Sequence, residues 1–357
     1  MNISEISAFR LINQHISGNK LNTVNALFSD MGAIQAQDYA MAKWAIGLRM
    51  KKATEQLINK AIDDGDIIRT HLLRPTWHFV LAKQLNWILE LTAPGIKSSM
   101  KSRNRELELT EEVFRKSHKI LKGALKGGNS LTRDELILLL NKANIRTENN
   151  RASHLFMEAE LDGVICSGRT KGNKITYALI EDRIHHHETV NKEVAVAKLA
   201  SIYFSSRGPA ELEDFAWWSG LTLTKIKSAA FESINSLRKF RHKEYLTDSE
   251  RSKNSVDLLP PFDEYIISYK DRSAIIFSVN HKKIISSNGV FRALIIENGI
   301  VIGIWKRTLK KDKVLIEAEC FKSINRDIKN SIESEVTKYG NFLGKEAVLS
   351  DIHNVNK

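Results

Sequence analysis

The sequence predicts an α+β chain built from three tandem winged-helix modules followed by a β-rich C-terminal domain. Two observations carry this prediction. Amphipathic helices followed by a short β-hairpin recur three times before about residue 250, and beyond residue 256 the texture changes to short β-rich runs. A chain of 357 residues suits several compact modules rather than one small core. With 42% apolar residues and only five prolines, it should fold and be rich in regular structure.

In the first module, residues 1–82, apolar positions fall at helical spacing over 5–16 and 22–31. A further amphipathic run, ATEQLINKAIDDG, stops at Gly65, a natural helix terminator. IIRTHLLRPTWHFVL (67–81) then reads as a two-stranded wing around Arg74 and Pro75. Residues 83–128 read as connecting helices. In the second module, 129–184, Ser130 or Thr132 can cap a helix over SLTRDELILLLNKAN. RASHLFMEAELDGVI (151–165) follows, then a hairpin over 165–180 turning at Gly172 and Asn173. The third module, 185–250, offers helices in VAVAKLASIYF, AELEDFAWWSGL and LTKIKSAAFESI, with the basic LRKFRHKEYL as its wing. In the last domain, 251–357, YIISYK, AIIFS, ALIIENGIVIGIWKR and VLIEAECF read as strands of a small barrel or sandwich. Asn298-Gly299 is a hairpin turn there, and a helix over about 323–342 covers one side.

Lys and Arg number 54 against 42 Asp and Glu, a formal charge of +12 that draws the chain toward polyanions, nucleic acid first among them. The bland reading of such a charge is solubility, so local motifs must decide. Cys166 and Cys320 form no CxxC spacing, which points to neither a disulfide framework nor a zinc knuckle. His185, His186, His187 and Glu188 are consecutive and converge poorly on one ion. Asp63, Asp64 and Asp66 lack the length and glutamate of a calcium loop. No phosphate loop, dinucleotide fingerprint or nucleophile triad occurs, so neither metal nor cofactor is expected. The N-terminus has helical periodicity without an apolar signal core, and no apolar run reaches the ~18 residues of a membrane span. The expectation is a soluble, cytoplasmic monomer.

The most informative segment is MGAIQAQDYAMAKWAIGLR (31–49). Gln35 and Gln37 would lie about 200° apart on a helix, but an extended or irregular backbone can turn both carboxamides to one site. Two nearby glutamines are otherwise an ordinary solvated pair. Asp38 can orient a water, yet it reads more naturally as the N-cap of a helix over 39–49.

Gln35-Ala36-Gln37 resembles the catalytic segment of the tandem winged-helix DNA glycosylases of the AlkZ and YcaQ type, which remove alkylated purines and unhook interstrand crosslinks. Those enzymes carry Gln, a small or apolar residue, then Gln or Asp. Further similarities lie in LLRPTWHFV (72–80), SSRGPAELEDFAWWSGL (205–221), LLPPFDEYIISYKDRS (258–273) and SSNGVFRALIIENGIVIGIWKR (286–307), in the family's order. The resemblance implies three winged helices plus a C-terminal β-barrel curved around DNA, with Gln35 and Gln37 at the catalytic centre. It implies hydrolysis of the N-glycosidic bond of N7-alkylguanine or a related adduct, with alkylated or crosslinked double-stranded DNA as the partner.

Candidate DNA contacts follow from charge and placement. Arg74, Trp77 and His78 share the first wing, although a wing tryptophan is as often core. Arg207, before Gly208-Pro209 at an expected helix start, can reach a phosphate. Arg238, Arg241 and Lys243 lie in the third wing, and Lys306 and Arg307 at the last hairpin; a solvated loop is the alternative for each patch. The rival function is a non-enzymatic tandem winged-helix DNA-binding protein such as a transcription regulator, since most such modules only bind.

Overall fold

The computed structural model describes residues 2–172, 174–186, 188–228, 255–277 and 280–354. The third wing expected at 237–246, with Arg238, Arg241 and Lys243, lies outside the described residues, as does Asn173. From the N-terminus the chain forms α1 (Ile3–Asn13), α2 (Val24–Met31), β1 (Ala33–Gln35), α3 (Tyr39–Leu48), α4 (Glu55–Asp64), β2 (Ile67–Leu72) and β3 (Thr76–Leu81). Two long helices follow, α5 (Ala82–Glu106) and α6 (Glu111–Leu125). The helix–strand–helix–helix–hairpin order then returns, as α6 leads into β4 (Leu131–Thr132), α7 (Arg133–Lys142), α8 (Arg151–Leu161), β5 (Ile165–Ser167) and β6 (Thr176–Leu179). Next come α9 (Ile180–Arg183), α10 (Lys192–Arg207) and α11 (Leu212–Ser219). The C-terminal part holds β7 (Val256–Leu259), α12 (Glu264–Ile267), α13 (His281–Ile284), β8 (Ala293–Glu297), β9 (Ile300–Leu309), β10 (Lys313–Cys320), α14 (Arg326–Leu343) and β11 (Glu346–Asn354).

Local chemistry sets many of these boundaries. Asn2 and Thr132 open α1 and α7 with capping boxes closed by Glu5 and Glu135, and Thr23, Asp38, Thr110 and Asn325 cap α2, α3, α6 and α14. Each satisfies backbone N–H groups that the first turn leaves unpaired, worth about 1 kcal/mol per cap. The chain leaves α4 at Gly65, whose φ of +86° suits glycine.

The chain divides into two compact units. One comprises residues 1–59, 200–218 and 230–357; the other comprises 60–199 and 219–229. In the first, five strands form a sheet in the order β11-β10-β9-β8-β7. Neighbours are antiparallel except β10 and β11, whose parallel pairing is made possible by the α14 crossover. Among the described residues this sheet is open, with β7 and β11 at its edges, where the resemblance implied a closed barrel. Helix α14 packs on α3 through Trp44, whose ring lies 5.1 Å from Tyr339 and 5.2 Å from Phe342. Gly47 permits this approach, since a Cβ there would stand 2.6 Å from the Phe342 ring.

Two expected strands are absent from the described sheet. YIISYK begins as the short helix α12, N-capped by Asp263, and residues 274–277 of AIIFS run through a turn. Tyr265, Ile266, Ile267 and Tyr269 are all at most 2% exposed. A short apolar run buried on every side has no periodicity that separates strand from helix.

In the second unit, β4, β6 and β5 form a three-stranded sheet in that order. Phe114, Leu121, Leu136, Leu155, Phe156 and Ile165 fill the core beside it. The β2–β3 hairpin pairs from Ile67–Leu81 to Leu72–Thr76, and the Arg69 N–H donates to Ser167 Oγ at 2.9 Å, tying the hairpin to β5.

Asp257 on β7 is a buried carboxyl in the first unit. Burial pushes its pKa up to about 7; the nearby Glu335 charge adds to the shift and Lys20 opposes it. A folded value above the unfolded ~4 means that the native state holds the extra proton, so stability declines as pH rises through about 7. Asp257→Asn should remove this decline. The stability gap between variant and wild type, read from urea melts at pH 5 and pH 8, should move in the variant's favour at pH 8, by about 1–3 kcal/mol. A gap independent of pH would mean that Asp257 titrates as a solvated carboxyl.

Candidate active site

Gln35 ends β1, and Gln37 sits in the bend that leads into α3. The backbone here is therefore extended and then irregular, the condition under which the two carboxamides can serve one site. Asp38 is the N-cap of α3, its Oδ1 accepting the Met41 N–H at 3.1 Å. Gln35 is buried and Gln37 exposed. The Gln35 Oε1 is enclosed without a hydrogen-bond partner among the described residues. An unpaired buried acceptor is costly unless a ligand or water completes it, so it marks this residue as a polar group awaiting a partner.

The segment is anchored from inside the protein. Glu264 Oε1 accepts the Gln35 backbone N–H at 2.8 Å. Glu264 Oε2 accepts from Arg207 Nη2 at 2.8 Å, Trp218 Nε1 at 2.9 Å and Ser268 Oγ at 2.7 Å. Arg207 extends the network, donating from Nη1 to the Met31 carbonyl at 2.8 Å and from Nη2 to the Ala33 carbonyl at 2.9 Å. One ion pair thus ties the end of α2, the start of β1 and the Gln35 peptide together. At Gly32, between them, φ is +72° and a Cβ would stand 2.8 Å from Ile202, so glycine is the residue that fits.

A second buried pair holds the far end of α3. Arg49 donates to Asp263 through two bonds, Nη1–Oδ2 at 2.9 Å and Nη2–Oδ1 at 2.7 Å. Burial alone would lower the Arg49 pKa, but the Asp263 charge and hydrogen bond outweigh it and raise the guanidinium above its usual value. Arg49, Asp263, Glu264 and Trp218 brace this segment; all lie within segments that carry the resemblance, which gave none of them a role. The signal for them was present as ionisable residues inside apolar runs, GLRM at 47–50 and PPFDEYII at 260–267.

Two expected DNA contacts are corrected. Arg207 ends α10 rather than starting a helix, and its guanidinium is fully buried on Glu264, so it cannot meet a phosphate on the surface. His78 is likewise buried, with Nδ1 3.0 Å from the Thr76 carbonyl. Arg74 and Trp77 are half-buried, and the Trp77 indole packs on His71 at 4.3 Å and under Arg69 at 4.4 Å. Lys306 is exposed but paired with Glu317 at 2.8 Å, and Arg307 bonds the Tyr339 hydroxyl. Cys166 and Cys320 are both buried and free. Among the described residues, no helix is long and apolar enough to cross a membrane.

Comparison with known proteins sets the class, that of the DNA glycosylases, the enzymes that hydrolyse N-glycosidic bonds. Residues 28–342 match the AlkZ-like DNA glycosylase family, and the chain belongs to it. It is 22% identical over 332 residues to an interstrand DNA cross-link repair glycosylase of Streptomyces sahachiroi, covering 85% of this chain and 87% of that protein. Its fold is similar to that of the solved Streptomyces sahachiroi DNA glycosylase AlkZ, with a TM-score of 0.77 and 19% identity, covering 99% of this chain and 100% of the other.

Breaking the Arg207–Glu264 pair should destabilise the protein strongly, because it leaves a carboxylate buried without compensation. Arg207→Met is expected to cost about 3–5 kcal/mol in urea denaturation, and adding Glu264→Gln should recover part of that loss. A change below about 1 kcal/mol would show that the pair carries little of the stability.

Proposed function

We propose that this protein is a monofunctional DNA glycosylase that hydrolyses the N-glycosidic bond of N7-alkylguanine or a related alkylated purine, including one tied into an interstrand crosslink. The observation that carries the reading is the Gln35–Gln37 pair on an anchored strand-to-helix bend, with an unpartnered carboxamide oxygen. The name of the Streptomyces sahachiroi relative, an interstrand DNA cross-link repair glycosylase, supports the crosslink as substrate.

The chemistry suits amides. Alkylation at N7 leaves the purine cationic, so the C1′–N9 bond breaks with its electron pair passing to the base, which departs neutral without prior protonation. Water then forms the new bond to C1′ and releases its proton to solvent, leaving an abasic site. Glutamine cannot act as a base, but fixed carboxamide dipoles can orient that water and stabilise an oxocarbenium-like sugar. Such a site favours activated, charged lesions over intact purines.

In this reading the two helix–strand–helix–helix–hairpin stretches are winged-helix modules; the third module expected over 185–250 lies partly outside the described residues. Arg74, Trp77, Lys306 and Arg307 remain candidate contacts to double-stranded DNA, acting chiefly on phosphates and therefore with little sequence preference.

Gln35→Ala and Gln37→Ala should each slow excision of N7-methylguanine by about 10²–10³ while barely changing DNA affinity, the usual effect of losing one preorganised polar group. Gln37→Asp should keep part of the activity, since a carboxylate can also orient water. The measurement is strand cleavage at the lesion after heat and alkali. Wild-type rates in both alanine variants would remove the pair from catalysis, and a wild type that excises nothing would favour the binding-only regulator. Replacing Lys306 and Arg307 together by alanine should weaken binding to undamaged duplex across sequences and flatten its salt dependence, by about 0.9 in slope for each phosphate that is no longer neutralised. An unaltered slope would return that hairpin to solvent.

A further inference from the structure

Helix α6, in the second unit, carries a line of cations that the candidate contacts above do not include. Arg115, Lys119, Lys122 and the C-cap Lys126 are four, three and four residues apart, the spacing that stacks side chains along one helix face. All four are exposed, and none pairs with a carboxylate among the described residues. Lys116, on another face, is by contrast paired with Glu112 at 2.8 Å. Phe114, Leu121 and Leu125 of the same helix are buried in the core, so α6 cannot turn its cations inward. Cations three and four residues apart repel one another, a cost that a polyanion lying along the line would relieve.

A shallow cleft of about 470 Å³ runs beside the line, with Arg115, Lys119 and Lys122 in its lining. Its carboxylates are Glu111 and Asp162. Asp162 is already held by Lys97, which also takes Glu158, so Glu111 at the start of α6 is the acid left beside three cations. His118 lies 3.8 Å from Asp162, and burial holds its pKa below the ordinary value, so at neutral pH it adds no charge.

A second observation comes from α8. In the winged-helix reading α7 and α8 form the helix–turn–helix pair, and α8 holds the place of the helix that enters the major groove. Here α8 has no exposed residue. Its Arg151 is buried and bonds the Leu107 and Arg146 carbonyls, while Glu158 and Glu160 are held by Lys97 and His71. A helix sealed in this way cannot read a groove, and α6, the module's first helix, presents free cations instead.

We propose that α6 is a DNA-contacting element of the second module, its cation line following the phosphates of a duplex without reading bases. Duplex DNA carries one negative charge per about 1.7 Å of axis, and the line covers about 16 Å at 1.5 Å per residue, so several of its cations meet phosphates together. Lysine ammonium groups suit this task as point charges, and phosphate contacts carry no sequence information. The inference rests on the winged-helix and DNA-binding parts of the reading above, and not on the glutamine chemistry.

The test is the salt dependence of binding to an undamaged duplex by the full-length protein. Wild type is compared with Lys119→Ala plus Lys122→Ala, and with a control, Lys142→Ala plus Lys192→Ala, that removes the same charge from two other exposed positions of the unit. The α6 variant should lose about 0.9–1.8 from the slope of log K against log salt, one or two phosphates, and equally on duplexes of unrelated sequence. The control should keep the wild-type slope, and unchanged urea midpoints report that each variant is folded. An α6 slope equal to wild type, or an equal fall in the control, would overturn the assignment, the latter by making net charge the cause. So would an α6 variant that binds duplex normally but no longer binds polyglutamate, since the occupant would then be an acidic polypeptide. Excision of N7-methylguanine by wild type is read in parallel. Excision with an unchanged α6 slope removes the phosphate track and leaves the glycosylase reading standing, whereas an α6 effect without excision does the reverse.

Discussion

The Glu264 carboxylate is the constraint on which the candidate site depends. One of its oxygens takes the Gln35 N–H; the other takes Arg207, Trp218 and Ser268. Arg207 in turn satisfies the carbonyls of Met31 and Ala33, groups that a helix end and a short strand leave without partners. Apolar residues could fill the same space at lower desolvation cost, but they could not address two carbonyls and a carboxylate at fixed angles. Together with Arg49 on Asp263, the network grips residues 31–49 at both ends from two consecutive acids. The segment bearing the glutamines is therefore held through its backbone, and its side chains are left to the site.

That arrangement fits chemistry done with dipoles. A site that works through a general base must tune a pKa, whereas carboxamides have none to tune and are effective only if they are already aimed when charge develops. Rigidity of the supporting strand then takes the place of electrostatic tuning. Two of the segments that carry the resemblance, GPAELEDFAWWSGL and LPPFDEYIISYKDR, meet in this network. Trp218 lies in the first and Arg207 stands just before it, and both converge on Glu264 in the second. Trp218 and Glu264, both fully buried, brace the segment from inside.

Much of the fold was legible because its signals are local. Gly65 as a helix stop, Thr132 and Asp38 as caps, and Asn298-Gly299 as a hairpin turn all act within a few residues, and the structure carries each. What failed was set by tertiary contacts. YIISYK is buried on all sides, so its pattern cannot distinguish strand from helix, and β11 pairs with β10 only because α14 brings it there. The sequence placed the pair after a helix end at Gly32 and made an extended or irregular backbone the condition for one site; the structure has Gln35 at the end of β1 and Gln37 in a bend. The burial of Gln35 was not legible, since the Glu264 carboxylate that takes its N–H lies far along the chain.

Arg207 shows why a cation count is a poor map of a binding face. The formal charge of +12 weighs every Lys and Arg equally, yet Arg207 and Arg49 are fully buried on carboxylates and Arg151 is buried against the Leu107 carbonyl. Lys306 differs, being exposed, and its surface pair with Glu317 is weak enough to yield to a phosphate. Counterion release depends on cations that can reach phosphates, and an internal ion pair contributes nothing to it. The net charge is still felt at a distance and can draw DNA in. Close approach to phosphates, by contrast, depends on where each cation sits: a sequence with the same composition and these arginines on the surface would bind DNA more strongly and hold its glutamines less firmly.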